Sequence, residues 1–125
     1  MIISIGIDIV EISRIEEKLT QGNTRFLNRV FTGSEIEYCE RRPSKFTSYA
    51  ARFAAKEAVM KALGTGWTDG IGWKEIEVIN DAAGKPKINI TGRALEQFEK
   101  LGARIVHVSL SHSKDSAIAQ VIFEA

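Results

Sequence analysis

Little in this sequence could cross-link it or anchor it: its 125 residues contain one cysteine, two prolines and two histidines. Cys39 alone cannot close an internal disulfide, and with His107 and His112 it makes no zinc-ligand cluster at the usual spacing. No apolar run approaches the roughly 20 residues needed to cross a bilayer, so no membrane role is expected. Met1 to Val10 is apolar, but it lacks a basic n-region and contains Asp8, so it does not read as a signal peptide. A cytoplasmic protein is the simplest expectation. An excess of one charge is missing as well. Seventeen Lys and Arg face sixteen Asp and Glu, a formal charge of +1, which argues against a domain that binds nucleic acid by neutralising phosphates. There is no Gly-Lys-Ser or Gly-Lys-Thr, so a Walker-type phosphate loop is excluded. Repeats, low-complexity tracts and linkers are lacking too. With 44% hydrophobic residues, one domain over residues 1–125 is expected, with its site within the chain or shared between copies.

What is present is clear patterning. Ile2 to Val10 alternates, with Ile3, Ile5, Ile7 and Ile9 on one face and Ser4, Gly6, Asp8 and Val10 on the other. That is a strand, with Asp8 on the less apolar face. Ser13 with Glu16, and Thr32 with Glu35, have capping-box spacing. They predict helices running to about Thr20 and through Cys39, with a short helix over Arg25 to Val30 between them and Pro43 beyond. Thr47 to Leu63 is the strongest helix: rich in Ala, without internal Gly or Pro, and stopped by Gly64. A glycine-rich loop, Gly64 to Gly72, follows. Strands are predicted for Trp73 to Asn80 and Lys87 to Ile90, joined as an antiparallel hairpin around Asp81 to Pro86. An amphipathic helix covers Arg93 to Leu101, and strands cover Ile105 to Leu110 and Ser116 to Phe123. The polar run Ser111 to Asp115 separates that last pair. This order predicts an α+β domain, with a mainly antiparallel sheet packed around the long Ala-rich helix.

Three polar features stand out against apolar surroundings: Asp8, the Lys56-Glu57 run with Lys61 one turn later, and His112. Each has an ordinary explanation. Asp8 could charge an edge strand, Glu57 and Lys61 have the i, i+4 spacing of a surface ion pair, and His112 lies among turn formers. Together they suggest more. Asp8 and Glu57 offer hard oxygen ligands from two elements, and Lys61 shares the helical face of Glu57. Mg²⁺ binds through one or two carboxylates plus phosphate oxygens, lysine is a compact cation for phosphate, and a glycine loop brings backbone amides close.

Ile5-Gly6-Ile7-Asp8, followed by Phe53-Ala54-Ala55-Lys56-Glu57-Ala58-Val59-Met60-Lys61, resembles the paired motifs of the 4'-phosphopantetheinyl transferases. The short chain resembles their holo-acyl-carrier-protein synthase branch. Arg14-Ile15, Arg25-Phe26, Phe31-Thr32 with Glu35, Gly64-Thr65-Gly66, Asp81 with Gly84-Lys85-Pro86, and Ser109 to Ser113 extend the likeness in order along the chain. The resemblance implies transfer of 4'-phosphopantetheine from coenzyme A to a serine of an acyl carrier protein, in support of fatty acid biosynthesis. It implies Mg²⁺ held by Asp8 and Glu57, with Lys61 at the same phosphates. Coenzyme A contacts are expected from Arg52, Lys61, Gly64, Gly66, Ser111 and His112. A homotrimer with active sites between subunits is also implied, bringing His112 of one copy near Asp8 and Glu57 of another.

For the chemistry, Glu57 and His112 both remain candidates to receive the serine proton, with Glu57 or its immediate surroundings favoured and His112 assigned to phosphate contact. Carriers of this class are acidic, so Arg14, Lys18, Arg25 and Arg29, with Phe26 as an apolar anchor, are expected to face them. A different Mg²⁺-dependent diphosphate enzyme would use the same acids and lysine. A non-enzymatic oligomeric module would hold Asp8, Glu57 and Lys61 only as an ion network.

Overall fold

The computed structural model describes residues 1–22, 24–65 and 70–125. Along the chain run β1 (Ile2–Glu11), α1 (Ile12–Leu19), α2 (Arg25–Val30), α3 (Gly33–Glu40) and α4 (Lys45–Leu63). A single 3₁₀ turn, Trp73–Glu75, leads into β2 (Ile76–Asn80) and β3 (Pro86–Ile90), followed by α5 (Gly92–Lys100), β4 (Ile105–His112) and β5 (Ser116–Glu124). The class is the expected α+β. Three strands pair antiparallel in the order β1-β5-β4, and β2 and β3 form a separate antiparallel hairpin. Trp73–Glu75 is thus not strand as predicted: Glu75 turns its carboxylate back to the Gly72 amide at 3.2 Å, closing the turn before the hairpin begins.

Helix α4 is the hub. It packs on β1 and β5 through small side chains, with Ala54, Ala55 and Ala58 fully buried and Ala62 nearly so. Gly64 ends it in the left-handed region at φ 80°, a conformation that costs glycine little. Closest approach to the sheet is at Gly6, where an added Cβ would lie 1.9 Å from the Ala58 carbonyl oxygen and 3.1 Å from the Ala62 nitrogen. Only glycine fits there. Two residues earlier, the Ser4 hydroxyl donates to the Ala62 carbonyl at 2.7 Å, so strand and helix backbones are tied as well as packed.

This contact inverts the simplest reading of β1. Its less apolar face, with Gly6 and Val10, is the one buried against α4, while Ile5, Ile7 and Ile9 are 55%, 52% and 65% exposed. Across the outer sheet face Ile5 pairs with Ile122 and Ile9 with Ile118, so the apolar surface extends onto β5.

Of the two predicted capping boxes, one forms. Thr32 accepts from the Glu35 amide, and Glu35 takes the Thr32 amide at 2.9 Å. The Ser13–Glu16 box does not form, because α1 already starts at Ile12, whose amide donates to the Asp115 carbonyl at 2.9 Å. Ser13 therefore lies inside the helix rather than before it.

Candidate active site

The Gly6 contact determines where Asp8 falls. The same face of β1, two residues on, brings Asp8 against the last turns of α4, where Lys61 Nζ donates to Asp8 Oδ1 at 2.9 Å and to the Ile7 carbonyl at 3.0 Å. The Asp8 side chain is 17% exposed and that of Lys61 56%. Glu57, half-buried, stands one helical turn before Lys61 on the same face of α4. The donor set suits Mg²⁺, which takes one or two protein carboxylates and fills its remaining positions with water and phosphate oxygens. Among the described residues no group of three or more His, Cys, Asp and Glu side chains converges as a metal cage.

The other lysine of the motif does something sequence reasoning missed. Lys56 is fully buried; its ammonium pairs with Glu35 Oε1 at 2.8 Å and donates to the Trp73 carbonyl at 3.2 Å and the Ile76 carbonyl at 2.5 Å. Burial pushes Lys56 below the usual lysine value, and the Glu35 carboxylate opposes that push. Glu35 also accepts the Thr32 and Val78 amides, at 2.9 and 2.8 Å, so one ion pair joins α3, α4 and the start of the hairpin. It thereby fixes the Trp73–Glu75 turn and the first residues of β2. The detectable signal was Thr32–Glu35; that the same glutamate receives Lys56 was not readable.

His112 lies elsewhere in the chain. It is the last residue of β4, not a loop residue beyond it, and β5 separates β4 from β1. Asp8 and His112 are therefore roughly 10 Å apart across the sheet before any offset along the strands. His112 instead lines a cavity of about 450 Å³ with Ser44, Thr47, Arg52, Gly84 and Pro86. Arg52 is 3% exposed, its guanidinium carbon stands 4.1 Å from the centre of the Tyr38 ring, and its Nη2 donates to Asn80 Oδ1 at 2.6 Å. Its Nε is buried without a hydrogen-bond partner. Among the expected coenzyme A contacts, Arg52 and His112 thus line one cavity, whereas Ser111, opposite Ile118, faces the outer side of the sheet. Gly64 is exposed at the end of α4, and Gly66 lies outside the described residues.

The basic residues expected to meet a carrier line two short helices. Arg14 and Lys18 are exposed on α1, and Arg25 and Arg29 on α2. Lys18 lies 5.3 Å from the centre of the Phe26 ring and joins the two helices. Phe26 is half-buried, with its ring 6.3 Å from Phe31 and 6.0 Å from Phe53, so its inner side is committed to an aromatic cluster.

Residues 4–121, which include this strand–helix junction, match the 4'-phosphopantetheinyl transferase superfamily, and the chain belongs to that family. Within it, the chain is 54% identical over 125 residues to a holo-[acyl-carrier-protein] synthase of Trichlorobacter lovleyi, covering 100% of this chain and 99% of that one. The Neisseria meningitidis holo-[acyl-carrier-protein] synthase structure superposes with a TM-score of 0.87 at 35% identity, with both chains fully covered. The Helicobacter pylori enzyme, solved in complex with coenzyme A, gives 0.84 at 33% identity over 96% of this chain and 99% of that one.

Proposed function

We propose that this chain is a holo-[acyl-carrier-protein] synthase, transferring the 4'-phosphopantetheine arm of coenzyme A to a serine of an apo acyl carrier protein and releasing adenosine 3',5'-bisphosphate. The observation that carries this reading is the Asp8–Lys61 pair, one helical turn from Glu57, in a chain similar along its whole length to enzymes of that name. The serine oxygen attacks the β-phosphorus, the bond from that phosphorus to the oxygen bridging the diphosphate breaks, and the nucleotide leaves with that oxygen. Asp8 and Glu57 would hold Mg²⁺, which when bound supplies charge neutralisation at the diphosphate. Lys61 adds a second cation there, released from Asp8 Oδ1 to the phosphate. Glu57 or a group beside it receives the serine proton, and His112 contacts phosphate. The cavity of Arg52 and His112 receives the nucleotide end of coenzyme A.

Self-association is supported by the outer sheet face, where five isoleucines, Ile2, Ile5, Ile7, Ile9 and Ile105, are between 47% and 65% exposed. Several large apolar side chains exposed on one sheet face mark an interface. A homotrimer formed there would bring His112 of one copy toward Asp8 and Glu57 of another, reconciling two half-sites that stand apart in one chain. The acidic carrier docks on Arg14, Lys18, Arg25 and Arg29, with the exposed edge of Phe26. The cytoplasm is the expected location and fatty acid biosynthesis the expected pathway. The test is incubation of the chain with apo carrier protein, coenzyme A and Mg²⁺, followed by intact mass of the carrier. A Mg²⁺-dependent gain of one phosphopantetheine is expected. Diphosphate cleavage without carrier modification, or no turnover, would overturn the reading.

A further inference from the structure

We infer that Asn80 is a positioning residue that sets this chain's preference for donors bearing an extra phosphomonoester, by aiming the buried guanidinium of Arg52. This rests on the reading that the Arg52 cavity receives the nucleotide of coenzyme A. Arg52 is a buried cation, and among the described residues no carboxylate pairs with it. A buried charge without a counter-ion is costly, and its unsatisfied Nε leaves a donor for an anion. What holds the guanidinium is neutral: the Tyr38 ring on its face and the Asn80 amide oxygen on Nη2. A neutral amide orients the cation without cancelling its charge.

Asn80 also joins the guanidinium to the hairpin turn at Gly84, which lines the same cavity. Its Nδ2 donates to the Gly84 carbonyl at 2.9 Å, while the Asp81 carboxylate takes the Ala83 and Lys85 amides, each at 2.9 Å. The hairpin turn is thus hydrogen-bonded within itself and tied to Arg52 by one side chain. Coenzyme A carries a phosphomonoester on its ribose in addition to the diphosphate, and a dianion of that kind suits a fixed guanidinium fork.

The experiment compares KM for coenzyme A and for 3'-dephospho-coenzyme A, which differ only in that group, in the full-length chain and three variants. The wild type is expected to prefer coenzyme A and Arg52→Gln to lose the preference. Asn80→Ala is expected to cut the preference about tenfold, entering through KM for coenzyme A. Asn80→Asp should cut it further, because a carboxylate would neutralise the guanidinium. A residue that merely supported the turn would affect Ala and Asp variants equally, both having lost the Gly84 bond, and would move the two KM values together; that result overturns the proposal. If Arg52→Gln erases the preference and both Asn80 variants keep it, Asn80 has no such role, although the nucleotide reading stands. If Arg52→Gln keeps the preference, the nucleotide reading of the cavity fails and the inference with it.

Discussion

Lys56 and Lys61 stand five residues apart on one helix and belong to one motif, yet one is fully buried and the other 56% exposed. Lys56 finds Glu35 and two backbone carbonyls in the interior, and its charge is spent joining α3, α4 and the hairpin. Lys61 finds Asp8 at the surface, in a pair that solvent and ligand can reach. The difference is a matter of helical geometry: five residues turn the side chain about 140° around the axis, from core to rim. Of two identical side chains, one is architecture and the other is available for chemistry.

Breaking the buried pair should have the largest effect on stability. Lys56→Met leaves Glu35 as an uncompensated buried charge and should cost roughly 3–5 kcal/mol in denaturant unfolding. A cost under 1 kcal/mol would mean the pair is not structural. Gly6→Ala comes next, because the new methyl meets the Ala58 carbonyl and a backbone must give way. About 1–3 kcal/mol of stability should be lost, and transfer activity should fall as well because Asp8 moves with its strand. Activity unchanged in a destabilised protein would separate Gly6 from the site.

A smaller effect with a definite pH sign is expected at Glu77. The Thr32 and Ser34 hydroxyls donate to its Oε2 at 2.6 and 2.8 Å and, the Thr32 bond foremost, hold its carboxyl below the ordinary 4.5. A depressed folded-state value means that the stabilisation is complete above the unfolded value and is lost as pH falls through the folded one. Glu77→Gln should cost about 1 kcal/mol at neutral pH, with the gap to wild type closing on acidification below 4.5. The smallest stability effect belongs to Lys61→Met, below about 1 kcal/mol for an exposed pair. Its transfer rate should nonetheless drop roughly a hundredfold, the contrast that sharpens the comparison with Lys56.

Local signals in the sequence were sufficient where one residue type decides the outcome. Gly64 stops α4 because it takes a positive φ, Thr32 and Glu35 close their box, and the turn after Asn80 makes the hairpin. Tertiary partners decided the rest. Alternation along β1 separates two faces without saying which is inside, and the answer depended on Gly6 admitting α4. Ser13 lost its cap role to a carbonyl contributed by Asp115, about a hundred residues away in sequence. The candidate site divides the same way. Asp8 with Lys61 could be anticipated from motif and periodicity, whereas the burial of Lys56 and the separate cavity of Arg52 and His112 depend on packing between distant elements.

The most direct measurement is transfer rate against Mg²⁺ concentration for the wild type and Glu57→Gln, with unfolding curves recorded in parallel. Glu57→Gln should fold as the wild type does, require more Mg²⁺ and recover part of its rate in excess metal. Full turnover at an unchanged Mg²⁺ requirement would contradict a site built from Asp8, Glu57 and Lys61.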